Sequence, residues 1–287
     1  MITTRQIVAN GLTFAIDEVG EGDTVALCLH GFPEARIAWA DHLPQIAQLG
    51  WKAVAPDMRG YGDTDRPAAK SAYEVQHLID DVAALFDALG GKRRILIGHD
   101  WGGVVAWQVA LSGRVPLDGL IILNAPHPNV FDRVLKDGWR QKLKSWYVAF
   151  FQLPWLPEAQ IKARQGHGLI DTLTAQSQNF SAEALETYRR NILKPGAATA
   201  MINYYRANGR SLSNPELPAS KLETSTLLIW GDDDFALDSA LMQGNEAYVA
   251  DFTLARLPGI SHWVLHDAPT AAMDAMASWA KAKGLAT

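Results

Sequence analysis

Cysteine, surplus positive charge and long apolar runs are what this sequence has least of, and each scarcity removes a class of function. Its 287 residues include one cysteine, Cys28, inside the apolar run Val-Ala-Leu-Cys-Leu, so no internal disulfide is available and a small buried core residue is expected there. Lys and Arg number 26 against 31 Asp and Glu, a formal charge of -5, with the cations dispersed along the chain apart from Lys92-Arg93-Arg94 and Arg189-Arg190. That pattern predicts no nucleic-acid partner, which needs a basic face, and no membrane partner held by a polybasic patch. No apolar run approaches the roughly 20 residues that cross a bilayer. The start, Met-Ile-Thr-Thr-Arg-Gln, has neither the charged beginning nor the apolar stretch of a secretory signal. A cytoplasmic protein, monomer or homodimer, is expected. No internal repeat or low-complexity tract breaks the chain.

What is present is apolar and patterned. Hydrophobic residues make up 48% of the chain, enough for one large core or two modest ones. Short β-rich runs, Val25 to Leu29, Ala53 to Ala55, Arg94 to Ile97 and Leu120 to Leu123, alternate with helical patterns, which predicts a parallel sheet. Leu78, Val82, Leu85 and Leu89 recur at helical spacing up to Gly90-Gly91, and Val104, Val105 and Val109 mark a second helix. Right-handed crossovers then put helices on both faces. After Pro126-His127-Pro128 the alternation stops, and residues to about Pro218 read as helices rich in Trp, Tyr and Phe. Strand patterns resume at Thr226 to Trp230 and Phe252 to Ala255, followed by a helix through Met273, Met276 and Trp279. The expected organisation is a sheet core in two parts, residues 1–128 and 219–287, interrupted by a helical cap at 129–218.

In an open α/β sheet the ligand crevice lies beyond the carboxyl ends of the strands, so the residues just after each apolar run carry the information. Four such places are loaded: His30-Gly-Phe-Pro-Glu34, Gly98-His-Asp-Trp-Gly-Gly103, Gly231-Asp-Asp-Asp234 and Gly259-Ile-Ser-His-Trp263. The second has the form of the strand-turn-helix elbow that in many hydrolases centres on a serine, with Asp100 in the serine's place. A carboxylate attacking an ester carbonyl would give a reactive anhydride, whereas attack on a saturated carbon gives a stable ester. The aspartate therefore implies an sp³ electrophile. That ester must then be cleaved at its own carbonyl by water, which calls for a general base and for donors to the oxyanion.

Taken together, these motifs resemble those of the α/β-hydrolase superfamily on its soluble epoxide hydrolase branch, related to haloalkane and fluoroacetate dehalogenases. The resemblance covers nearly the whole chain. It implies an α/β fold with a mostly parallel eight-stranded sheet, helices on both faces and an inserted helical cap, and a reaction that needs no cofactor or metal. By the same resemblance Asp100 is the nucleophile, His262 the base and Asp234, followed by an apolar segment, the acid in preference to Asp232 and Asp233. The alternative location for that acid, after the preceding core strand, holds uncharged Asn124. Backbone N–H groups of Phe32 and Trp101 are the expected oxyanion hole, and the Phe32-Pro33 bond is expected cis. His30 and His99 are expected to be structural.

The leaving group separates the branches. A halide departs without a proton, whereas an opened epoxide departs as an alkoxide that a neutral tyrosine can protonate. Trp146-Tyr-Val-Ala-Phe-Phe-Gln152 and Asn203-Tyr-Tyr-Arg206 resemble the cap segments that carry the ring-opening tyrosines of epoxide hydrolases, which picks out Tyr147 and Tyr205. Phe32 stands where many haloalkane dehalogenases have a halide-binding asparagine. No arginine follows Asp100, as a fluoroacetate dehalogenase would require. The implied activity is ether-bond hydrolysis of a small hydrophobic epoxide with water to a vicinal diol, the substrate lying against Phe32, Trp101, Tyr147, Tyr205 and Trp263 in a mostly apolar pocket. A haloalkane or haloacid dehalogenase using the same nucleophile is the second reading, and a ligand-binding relative without turnover the third.

Overall fold

A computed structural model of the protein describes residues 1–177, 179–209 and 220–286. Eight strands form one sheet: β1 (Thr3–Ala9), β2 (Leu12–Val19), β3 (Thr24–Leu29), β4 (Lys52–Pro56), β5 (Arg93–His99), β6 (Gly119–Leu123), β7 (Thr226–Gly231) and β8 (Phe252–Leu257). Their spatial order is β1-β2-β4-β3-β5-β6-β7-β8. β1 pairs antiparallel with β2 and β2 with β4, and every later pair is parallel. The sequence pattern had not marked β1 and β2. β1 is a largely exposed edge strand, so it has no need of the apolar run that reveals a central one.

The central strands are apolar without alternation because helices cover both faces. Val25, Leu27 and Leu29 of β3 join one buried cluster while Ala26 and Cys28 join the other, and β6 divides Leu120 and Ile122 from Ile121 and Leu123 in the same way. Helices α2 (Val75–Leu89) and α3 (Trp101–Ser112) pack on the first face; α1 (Leu43–Ala47) and the C-terminal helix Pro269–Ala282 pack on the second. α2 stops at Gly90, whose φ of 74° suits a residue without a Cβ.

Between β6 and β7 the chain runs through seven α-helices among the described residues: α4 (Pro128–Asp137), α5 (Trp139–Lys144), α6 (Trp146–Phe150), α7 (Leu156–Lys162), α8 (His167–Thr174), α9 (Ala182–Leu193) and α10 (Ala197–Asn208). These form the cap. Its far limit, expected near residue 218, lies outside the described residues. Tyr204 donates to the carbonyl of Arg59, and Asn208 exchanges hydrogen bonds with the backbone of Tyr73 and Val75, fixing α10 to the core. Strand order reverses between β3 and β5, so the sheet's crevice opens at their carboxyl ends. No helix among the described residues is long and apolar enough to cross a membrane.

Candidate active site

Asp100 follows β5 and opens α3, with φ 49° and ψ -118°, a strained conformation for any residue with a Cβ. The turn pushes the side chain out of the sheet and toward the loop after β3. Two glycines permit the approach. A Cβ on Gly31 would stand 2.5 Å from the Cβ of Asp100, and one on Gly102 would stand 2.2 Å from the carbonyl oxygen of Leu29. The backbone N–H of Phe32 donates to Asp100 Oδ1 at 2.8 Å, and the Phe32-Pro33 peptide is cis. Trp101 is the first residue of α3, where a helix leaves its N–H without an intrahelical acceptor.

The second oxygen, Oδ2, lies 3.6 Å from Nε2 of His262. On the other side of that ring, Nδ1 meets Asp234 Oδ2 at 2.6 Å, which assigns the Nδ1 proton to the Asp234 side. Asp234 is fully buried and saturated: Oδ2 also accepts from Asn124 Nδ2 at 2.7 Å, and Oδ1 accepts from the N–H groups of Ala236 and Leu237. Burial alone would push the Asp234 carboxyl up, but the His262 charge and these donors hold it below its usual value. Burial would likewise push His262 down; the carboxylates of Asp234 and Asp100 outweigh it and raise the imidazole to about 10. At neutral pH the ring is an imidazolium between two carboxylates. Asp232 instead pairs with Arg256 at the surface, and Asp233 is exposed.

Two chambers meet at Asp100, Tyr147 and Tyr205. The larger, about 550 Å³, runs between core and cap past His262, Trp263, Phe32 and Trp146; the smaller, about 170 Å³, lies against Trp101, Asn124 and the start of α4. Tyr147 on α6 and Tyr205 on α10 stand edge to face with ring centroids 5.9 Å apart, and Tyr205 packs in the same way on Trp101 and Phe32. Burial, reinforced by the Asp100 charge, raises both phenols above their ordinary value, so both remain protonated donors. Trp263 lines the larger chamber and donates from Nε1 to the carbonyl of Leu173 in the cap. Among the described residues no group of three or more His, Cys, Asp or Glu is arranged to hold a metal.

Several contributors carried little signal in the sequence. Asn124, at φ 42°, joins Gly231 to Asp234 by accepting from the Gly231 N–H and donating to the carboxylate. Its only signal was a polar residue at the end of a buried strand. From the cap, Lys144 donates to the carbonyls of Asp234 and Leu237, and Gln141 bonds Ala236 and Asp238, so α5 clamps the acid's loop. Glu34, 1% exposed, accepts from the Gly31 N–H and pairs with His99 and His266; His99 in turn reaches the carbonyl of His262. His30 bonds the backbone of Gly31 and Met58. Both histidines thus hold loops together.

The alpha/beta hydrolase fold model matches residues 25–269. A human protein named Epoxide hydrolase 4 is 36% identical over 92% of this chain and 74% of its own length. The AB hydrolase superfamily protein YfhM of Bacillus subtilis is 35% identical over 91% of each. Among solved structures, one described as novel epoxide hydrolases of the alpha/beta hydrolases superfamily from hot-environment metagenomes superposes with a TM-score of 0.85. It has 31% identity, over 97% of this chain and 98% of that one. An inhibitor complex of Bacillus megaterium epoxide hydrolase gives a TM-score of 0.88 at 25% identity, over 96% and 100%.

Proposed function

The chain belongs to the α/β-hydrolase family and is an epoxide hydrolase, and from that premise we propose which of its residues perform the reaction and on what substrate. Oδ2 of Asp100 attacks the less hindered epoxide carbon, the C–O bond breaks, and the departing oxygen takes a proton from Tyr147 or Tyr205. The product of this half is a hydroxyalkyl ester. The single observation that carries the reading is the Asp100 carboxylate, one oxygen engaged by the Phe32 N–H, with Tyr147 and Tyr205 lining the same cavity.

Ester formation also readies the second half. Asp100's negative charge helps to keep His262 protonated, and alkylation removes that charge. The imidazole's affinity for its proton therefore falls, and that proton passes to the tyrosinate left by ring opening, so His262 is neutral when a base is needed. His262, oriented by Asp234, takes a proton from water; the hydroxide adds to Cγ of Asp100, the oxyanion rests on the N–H groups of Phe32 and Trp101, and the diol leaves as the carboxylate re-forms.

The substrate is a small hydrophobic epoxide, because aromatic and aliphatic side chains supply most of both chamber walls. Two chambers on either side of the nucleophile suit a ring with unequal substituents, the larger one toward His262. A monomer or homodimer in the cytoplasm completes the reading, and the unpaired thiol of Cys28 fits that setting.

The test is His262→Gln mixed with styrene oxide. The intact mass is expected to rise by one styrene oxide and the peptide bearing Asp100 to carry it; an unmodified protein would overturn these roles. Offering a bromoalkane beside styrene oxide to the unaltered enzyme separates the dehalogenase reading, since diol without bromide is expected.

A further inference from the structure

The cap turns aromatic rings outward as well as inward. Of the ten exposed large apolar side chains among the described residues, six fall between 139 and 156. Trp139 is 67% exposed, Leu143 63%, Trp146 65% and Trp155 73%. Trp139 and Leu143 of α5 and Trp146 of α6 turn outward, Phe150 is half-buried beside Trp146, and Leu153 follows in the turn after α6. The opposite face, with Gln141 and Phe151, is buried against the protein. Trp139 and Trp155 line neither chamber and most of each ring faces solvent, so interior packing does not account for them.

Charge on this segment runs against the rest of the chain. Residues 137–164 hold Arg140, Lys142, Lys162 and Arg164, besides the inward-turned Lys144, against Asp137 and Glu158, and Glu158 is paired with Arg206. Elsewhere acids prevail, giving the total of -5. The Arg140 guanidinium lies 5.8 Å over the Trp139 ring, so cation and indole occupy one patch. Chain-wide counting hides this face, which is why the sequence predicted no membrane partner. Leu143, Trp146 and Phe150 also line the larger chamber, and Leu143 and Trp146 are mostly exposed, so chamber and patch share these side chains.

We propose that the α5–α6 face of the cap docks on an anionic lipid surface, with Trp139, Leu143, Trp146 and Trp155 at the acyl boundary, so that this wall of the larger chamber meets the bilayer. Tryptophan beside Lys and Arg suits the headgroup level, where an apolar ring and a polar N–H are both accommodated. A second copy of this chain is a poor occupant, because a two-fold contact would set Arg140 and Lys142 against themselves. The helices lie on the surface and do not span it. Entry of an apolar epoxide directly from lipid rests on the substrate reading above; the docking does not.

The test sediments the full-length protein with vesicles of phosphatidylcholine alone or mixed with phosphatidylglycerol. Binding to the mixed vesicles, weakened by salt, is expected, with much less on phosphatidylcholine alone. Trp139→Ser combined with Trp155→Ser removes rings that line neither chamber. This variant is expected to lose at least about tenfold in vesicle partitioning while its turnover of a water-soluble epoxide without vesicles is unchanged. That turnover confirms folding and separates a failure of docking from a failure of the catalytic reading. Absence of wild-type binding to either vesicle, or binding undiminished in the double variant, overturns the proposal. So does gel filtration in which the double variant turns a dimer into a monomer and neither protein binds lipid.

Discussion

The core and the cap supply the site with opposite kinds of group. From the core come Asp100 and Asp234, fixed by backbone N–H donors and Asn124, and His262, fixed by the Asp234 carboxylate. The cap supplies neutral phenols, Tyr147 and Tyr205, set by ring-on-ring contacts and by the helices that carry them. The difference follows from chemistry: ester hydrolysis needs a base held at one distance from one carbonyl, whereas ring opening needs an acid that reaches an oxygen whose place varies with the substrate. On the proposed roles the reaction divides between the regions, with hydrolysis resting on the core and ring opening on the cap. Variants of each should stall on different sides of the covalent ester.

The largest effect is expected from Asp100→Ala, which belongs to both halves and should reduce turnover by roughly four orders of magnitude or more, with no adduct in the intact mass. Next comes the cap pair: Tyr147→Phe with Tyr205→Phe should slow ring opening by about a thousandfold, and no ester should accumulate. An ester trapped in that variant would break the division. In the core, Asn124→Ala removes a donor from the buried Asp234 carboxylate and should slow hydrolysis by about tenfold, from a cost of about 1–2 kcal/mol. Ester should build up there during turnover, whereas an equal slowing of both steps would blur the comparison.

The smallest effect is on stability against pH. His262 is raised to about 10 in the folded protein, so its pairing contributes fully below the ordinary imidazole value and is lost as pH rises toward about 10. The melting temperature should therefore decline between neutral pH and about 10, and decline less in His262→Gln. For turnover the sign is opposite on the acid side. Hydrolysis needs neutral His262 in the ester, so kcat should fall as pH drops and protonates it.

How much of this was legible in the sequence also divides between the regions. Core strands buried on both faces must be apolar throughout, so β3, β5, β6 and β7 stand out, and the loops after them carry the chemistry. Asp100 and His262 are readable because the elbow needs glycines on either side and the last loop presents a histidine before tryptophan. Asn124 was read as an empty acid site, yet its amide does the positioning that a charge would not; only the three-dimensional partner reveals that. In the cap, aromatic content alone could not separate the inward Tyr147 and Tyr205 from the outward Trp139 and Trp146, since a short helix exposes or buries a ring according to where it docks. Lys144 and Gln141 gave no signal, because their acceptors are main-chain carbonyls about 90 residues away.

One single-turnover reaction in heavy-oxygen water, followed by mass analysis of the peptide bearing Asp100 and of the diol, tests the covalent step most directly. Water attacking the ester carbonyl leaves its oxygen in the Asp100 carboxylate, so the peptide should gain the label and the first diol should be unlabelled. Label in the diol alone, with an unlabelled peptide, would mean that water opens the ring directly and that Asp100 never bonds to carbon.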